Sequence, residues 1–190
     1  VVVTSRASLG ACAIVITEAG NTGGYNTDTT VLCHCESVTS GETPNDQGVA
    51  AATTGSLSTS TKKFGSGAVQ LEPGEDLTLP IDKAGDWTLD LWLYAETAVE
   101  DFIVPLTIDG TGSGYDFIVY TNSSGFLAIG GDDVTTGDTG STAVTAGAWH
   151  HIAIVRDSVA GTAKVYLDGT LEATATVATL TGTSATVQQN

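Results

Sequence analysis

Trp87-Thr88-Leu89-Asp90-Leu91-Trp92-Leu93-Tyr94 alternates without a break. Side chains on a strand point to opposite faces in turn, so Trp87, Leu89, Leu91 and Leu93 make one apolar face. Thr88, Asp90, Trp92 and Tyr94 make the other, which is polar and aromatic. A strand of this kind belongs to a sheet packed on a core on one side and open or grooved on the other. Short runs of similar character recur along the chain, at 11–17, 31–35, 68–71, 77–80, 102–108, 115–121, 126–130, 149–156, 163–167 and 171–177. Gly, Asp, Asn and Ser clusters separate them, the pattern of a sandwich or barrel. Asp168-Gly169, between two such runs, is the strongest hairpin signal, because a tight primed turn needs positive φ at its centre. Residues 110–114, 122–125 and 137–140 read as further loops, and 36–63 as a long binding loop or irregular crossover.

Composition agrees with an all-β reading. The chain has 190 residues, of which 41% are hydrophobic, enough for one sizeable core and too few for two comfortable domains. Gly occurs 23 times, and Thr and Ser are abundant, which disfavours helix. Charged residues are only 15%, too few for a disordered chain. Acidic residues outnumber basic ones 22 to 6, giving a net charge of -16. Nucleic acid and anionic membranes are therefore poor partners, since both demand a field of the opposite sign. No apolar run approaches the ~20 residues that span a bilayer. The start, Val1-Val2-Val3-Thr4-Ser5-Arg6, lacks the pattern of an intact signal peptide, and the chain contains no Met. Its first residue is therefore expected to be a processed or truncated end.

The cysteines Cys12, Cys33 and Cys35 are odd in number and too few for a disulfide scaffold. A bond between Cys33 and Cys35 along one strand would be strained. Buried free thiols, one bridge to Cys12, and a metal site remain as alternatives. His150 and His151 are neighbours on a strand and point to opposite faces, which is unsuitable for one shared ion and suits ordinary structural histidines. His34 is also read as a strand residue. No nucleophile elbow and no phosphate-cradling glycine loop followed by a helix is present. Asn122-Ser123-Ser124 matches a glycosylation acceptor, relevant only on a eukaryotic secretory route.

Taken in order, Val31-Leu32-Cys33-His34-Cys35, Lys63-Phe64-Gly65-Ser66-Gly67-Ala68-Val69-Gln70-Leu71, Asp76-Leu77-Thr78-Leu79-Pro80 and residues 87–94 resemble the first half of a laminin-G-like, concanavalin A-like jelly roll. The resemblance continues through Gly147-Ala148-Trp149-His150-His151-Ile152-Ala153-Ile154-Val155-Arg156 and Ala163-Lys164-Val165-Tyr166-Leu167-Asp168-Gly169. It implies an all-β, two-sheet antiparallel sandwich over 31–190, preceded by an extended N-terminal arm over 1–30. Two departures stand out. The family usually has an aromatic where this chain has Cys35, and the chain ends at Val187-Gln188-Gln189-Asn190, so the closing strand is expected to be missing.

A sheet short of its last strand leaves an edge that templates another strand. The apolar segment containing Ala11, Cys12, Ile14, Val15 and Ile16 is the expected substitute, folding back in its own subunit or docking on a neighbour in a homo-oligomer. The resemblance has a viral flavour, and with the open edge and the lack of a catalytic set it implies a non-enzymatic structural or adhesive subunit. A phage capsid decoration or fibre protein, located on a virion surface or outside the cell, is the leading expectation. The alternative is a secreted carbohydrate-binding module, with Trp92 and Tyr94 as stacking faces and Asp90 as acceptor. A glycoside hydrolase is a third option. Related enzymes carry a Glu-x-Asp-x-x-Glu run, and here Thr88 and Leu93 stand where the two glutamates would be. No cofactor is required, although calcium is implied for such jelly rolls, with Asp132, Asp133 and Asp138 as loop donors and Asp109 and Asp116 as separate ones. Acidic residues that merely keep the surface soluble are the competing explanation.

Overall fold

The computed structural model describes residues 2–3, 9–11, 14–18, 29–33, 52–64, 67–80, 84–96, 103–109, 115–180 and 184–189, those before 53 through backbone pairing alone. All regular structure among them is strand. The first six strands are β1 (Val2–Val3), β2 (Leu9–Ala11), β3 (Ile14–Glu18), β4 (Thr29–Cys33), β5 (Ala52–Thr53) and β6 (Ser56–Ser58). Next come β7 (Ala68–Leu71), β8 (Asp76–Pro80), β9 (Trp87–Ala95), β10 (Ile103–Asp109), β11 (Tyr115–Thr121) and β12 (Phe126–Gly130). The last six are β13 (Val134–Thr136), β14 (Asp138–Ala143), β15 (Trp149–Asp157), β16 (Thr162–Leu167), β17 (Thr170–Val177) and β18 (Ser184–Gln189).

Two sheets result. One runs β1-β7-β2-β9-β15-β16-β17-β13, with β3, β4 and β6 attached beside this path. The other runs β14-β12-β11-β10-β18-β8-β5. Their facing sides hold the core. Leu89, Leu91 and Leu93 of β9, Ile152 and Ile154 of β15, and Val165 of β16 meet Phe117 and Val119 of β11 and Leu127 of β12 in one buried cluster. Trp87 closes it with an edge-on contact to Phe117, ring centroids 6.2 Å apart. In β9 the alternation predicts the outcome residue for residue: Trp87, Leu89, Leu91, Leu93 and Ala95 are buried, and the residues between them are half-buried on the outer side.

The missing closing strand is the expectation that fails. Ser184–Gln189 forms β18 and pairs antiparallel with β8 on one side and β10 on the other. Only Ala185 and Val187 carry its buried face, 2% and 0% exposed, so its apolar signal is two residues long. The N-terminal segment lies on its own chain's sheet: Ile14, Val15 and Ile16 pair antiparallel with Leu91, Asp90 and Leu89, and with the strand at Thr29–Cys33 on the other side. Ala11 pairs with Val69, while Cys12 and Cys35 lie outside the described residues, as does His34.

Of the expected loop at 137–140, Gly137 does join two strands, but 138–140 already belong to β14. Gly140 sits inside β14, and a Cβ there would stand 2.6 Å from Glu172 Oε2. The absent side chain lets β17 of one sheet reach the backbone of the other: Glu172 Oε2 accepts from the Ser141 and Thr142 N–H groups at 2.8 and 3.0 Å. Burial on its own would raise the Glu172 carboxyl, but the Thr142 and Ser141 bonds win and hold it below its ordinary value. A lowered carboxyl stabilises the fold above its unfolded-state pKa, and that contribution disappears as pH falls through the lower folded value. Glu172→Gln is therefore expected to cost about 1 kcal/mol near neutral pH, reduced by solvent screening. Thermal melting of both proteins at pH 7 and at about pH 3 checks this, with the gap between them closing in acid.

Candidate functional site

The outer side of β9 and β15 gathers the aromatic residues that the alternation sends away from the core. Antiparallel register places Tyr94 opposite Trp149, Trp92 opposite His151, and Asp90 opposite Ala153. Residues directly opposite on a sheet project to the same side. Tyr94 and Trp149 accordingly pack with centroids 5.3 Å apart, and Trp92 and His151 at 5.2 Å. The next strand extends the surface, with Tyr166 opposite Ala153 and Lys164 opposite Val155.

The three residues expected to bind glycan, Asp90, Trp92 and Tyr94, therefore do share one face. Asp90 Oδ1 is 3.2 Å from His151 Nε2. Burial pushes the Asp90 carboxyl up from its ordinary value, and the His151 charge and hydrogen bond oppose that rise. The sequence alone did not assign Lys63 and Phe64 to this face. Phe64 is 50% exposed and stands edge-on to Trp92 with centroids 6.0 Å apart. The Lys63 ammonium lies over the Trp92 ring, 4.1 Å from its centroid. Such contacts join residues 28 and 29 positions apart in the chain, and no local spacing signals them.

The two adjacent histidines separate as strand alternation requires. His150 is at the end of the sheet, where its Nδ1 lies 2.8 Å from Asp168 Oδ2 and its Nε2 accepts from the Thr145 N–H at 3.1 Å. A backbone N–H can only donate, so Nε2 is the acceptor nitrogen and Nδ1 carries the proton toward Asp168. The Thr145 hydroxyl also lies 2.9 Å from Nε2. The order hydroxyl, imidazole, carboxylate resembles a nucleophile chain, but the Thr145 N–H already occupies the lone pair that would receive the hydroxyl proton. The arrangement is a clasp between the turn before β15 and the β16–β17 hairpin.

The described acidic loop residues sit in local turn and strand contacts, and the side chain of Asp109 lies outside the described residues. Asp138 uses its carboxylate on the Thr139 and Thr174 N–H groups at 2.8 and 3.2 Å. The N–H groups of Asp132 and Asp133 donate to the Tyr115 and Asp116 carbonyls, holding the turn that follows β12. Among the described residues, no group of three or more His, Cys, Asp or Glu is placed to hold a metal ion.

Residues 63–188 match the family described as the concanavalin A-like lectin/glucanases superfamily, under the name Laminin_G_3. The chain belongs to this superfamily. No curated protein sequence matches it. Among solved structures, the superfamily member described above is similar to the binding domain of botulinum neurotoxin DC in complex with SialylT. That match has 15% identity and a TM-score of 0.44, and covers 77% of this chain and 40% of that one. It is also similar to the polysaccharide lyase family 7 alginate lyase AlgAT5, with 14% identity and a TM-score of 0.41, covering 93% and 82% of the two chains. Carbohydrate-binding module CBM66 from Bacillus subtilis follows, at 13% identity and a TM-score of 0.33, with 73% and 88% covered. The family model alone carries the assignment to the superfamily, and among the described residues no helix is long and apolar enough to cross a membrane.

Proposed function

We propose that the outer face of β9 and β15 binds carbohydrate and that the protein acts as a binding module outside the cell or on its surface. The observation that carries this is the row Tyr94, Trp92 and Asp90 on a single side of the sheet, with Trp149 packed against Tyr94 and Phe64 against Trp92. Aromatic rings offer flat apolar area to the C–H faces of a pyranose, and a neighbouring carboxylate accepts from its hydroxyls. Membership of a lectin and glucanase superfamily supports the same reading.

Binding is favoured over hydrolysis for a chemical reason. Cleaving a glycosidic bond with the usual carboxylate pair needs one acid and one base or nucleophile on the same face. On β9, Thr88 and Leu93 occupy the companion positions, and Leu93 is buried in the core. The expectation of a phage virion subunit drew partly on an open edge beside residues 31–35, and there Ile14, Val15 and Ile16 of the same chain pair with Cys33, Leu32 and Val31, which supports a partner strand from within the subunit.

Titration calorimetry against a panel of neutral and acidic oligosaccharides tests the proposal. At least one member should bind, and Trp92→Ala should weaken it at least about tenfold, since losing a central aromatic anchor removes more than 1 kcal/mol. A panel without a binder, or a Trp92→Ala protein that still melts cooperatively and binds as the parent does, would refute it.

A further inference from the structure

We propose that Lys63 makes this face selective for sugars that carry a carboxylate or sulfate group, an inference that rests on the carbohydrate-binding surface proposed above. In a chain with 22 acidic and 6 basic residues, a lysine would ordinarily sit beside a carboxylate. Among the described residues the ion pairs belong to His150 and His151, and Lys63 is held by an aromatic ring instead. Its ammonium lies 4.1 Å from the Trp92 centroid and 6.0 Å from that of Phe64, where the ring faces attract a cation. Lys63 is therefore half-buried against aromatic rings and, among the described residues, has no anion paired with it.

This placement has opposite consequences for neutral and anionic ligands. A neutral pyranose that stacks on Trp92 must displace the ammonium from the ring and offers it only hydroxyl groups in exchange. A uronate or sulfated sugar presents an oxygen anion at the same place, and the ammonium keeps a partner of full charge throughout. The other nearby carboxylate, Asp90, does not compete, because it already faces His151 Nε2 at 3.2 Å. The overall charge of -16 opposes any anion at long range. Beyond about 8 Å, physiological salt screens that repulsion, which leaves the local contact to decide.

The experiment compares one oligosaccharide in two charge states, tetragalacturonate and its methyl ester, with a sulfated and a neutral glucan oligomer beside them. The parent protein is expected to bind an acidic member at least tenfold more tightly than its neutral counterpart. Lys63→Met should abolish that preference, and Lys63→Arg should retain it within about threefold, since both cations pair with an oxyanion. Equal binding of charged and neutral members by the parent, or an undiminished preference in Lys63→Met, overturns the inference and leaves the binding surface standing. Failure of every sugar to bind the parent protein sinks the proposed function itself.

Discussion

Arg156→Met is expected to destabilise the protein by about 3 to 4 kcal/mol, the largest effect of any single substitution considered. Arg156 ends the core stretch of β15 and is 4% exposed. Its guanidinium donates to four main-chain carbonyls that close the end of the sheet. One Nη1 contact goes to Asp157 and another to Thr162 at 3.0 Å, while Nη2 donates to Val177 at 3.4 Å and Ala178 at 3.1 Å. Three strands thus converge on one planar cation. Burial pulls the Arg156 pKa down, with Asp157 and Asp86 opposing it, and Nε has no hydrogen-bond partner among the described residues, so the charge carries a desolvation cost that methionine would relieve. That relief is smaller than the loss, because four carbonyls at strand ends lose a charged donor together at roughly 1 kcal/mol or more each. For a domain of this size the melting temperature should fall by about 6 to 16 °C, at about 2–4 °C per kcal/mol. Lys at this position keeps the charge but lacks the fork, and is expected to recover less than half of the loss. Denaturant titration measures all three proteins, and an Arg156→Met variant within 1 kcal/mol of the parent would show that water replaces the guanidinium without penalty.

How much of this was legible beforehand depends on where each signal lies. β9 and β16 announce themselves, because every second residue is apolar and burial follows the alternation, and β15 does so through Ile152 and Ile154. β18 does not, since Ala185 and Val187 are its only apolar residues and Ser, Thr and Gln fill the rest. A two-residue stripe at a polar terminus looks like a tail until the partners β8 and β10 supply both edges. The short strands at Ala52–Thr53 and Ser56–Ser58 fail for the same reason, being held by pairing and by Thr53 rather than by apolar bulk. At the site, Asp90, Trp92 and Tyr94 share a face by local geometry alone. Trp149 and His151 join them through inter-strand register, and Lys63 through a distant segment's approach, so neither is written in the spacing of the chain.

Asp168→Ala is expected to cost about 3 kcal/mol, from two separable sources. The first is conformational. Asp168 has φ of 51°, and Gly169 follows at 83°, the left-handed pair that a tight hairpin needs. Asp tolerates that region and Ala does not, which accounts for about 1 kcal/mol. The second is the clasp. Oδ1 accepts from the His151 N–H and Oδ2 pairs with His150 Nδ1, both at 2.8 Å. Burial would raise this carboxyl, but the bonds to His150 and His151 outweigh it and hold the pKa below its ordinary value. Its contribution is therefore complete above the unfolded-state pKa and fades as pH falls through the lower folded value, so the Asp168→Ala deficit should shrink in acid. Asp168→Asn divides the two sources. Asn keeps the backbone conformation, and its oxygen can still serve the His151 N–H. Its amide, however, would face a Nδ1–H that cannot change tautomer while the Thr145 N–H occupies Nε2. Asn should thus recover the conformational part and one bond, leaving a deficit of about 1 to 2 kcal/mol. Gly in the same place should recover only the conformational part. Melting curves of the Ala, Asn and Gly variants across pH therefore decide between a hairpin held by its turn alone and one held to β15 through His150, and an Asn variant as unstable as Ala would rule out the turn contribution.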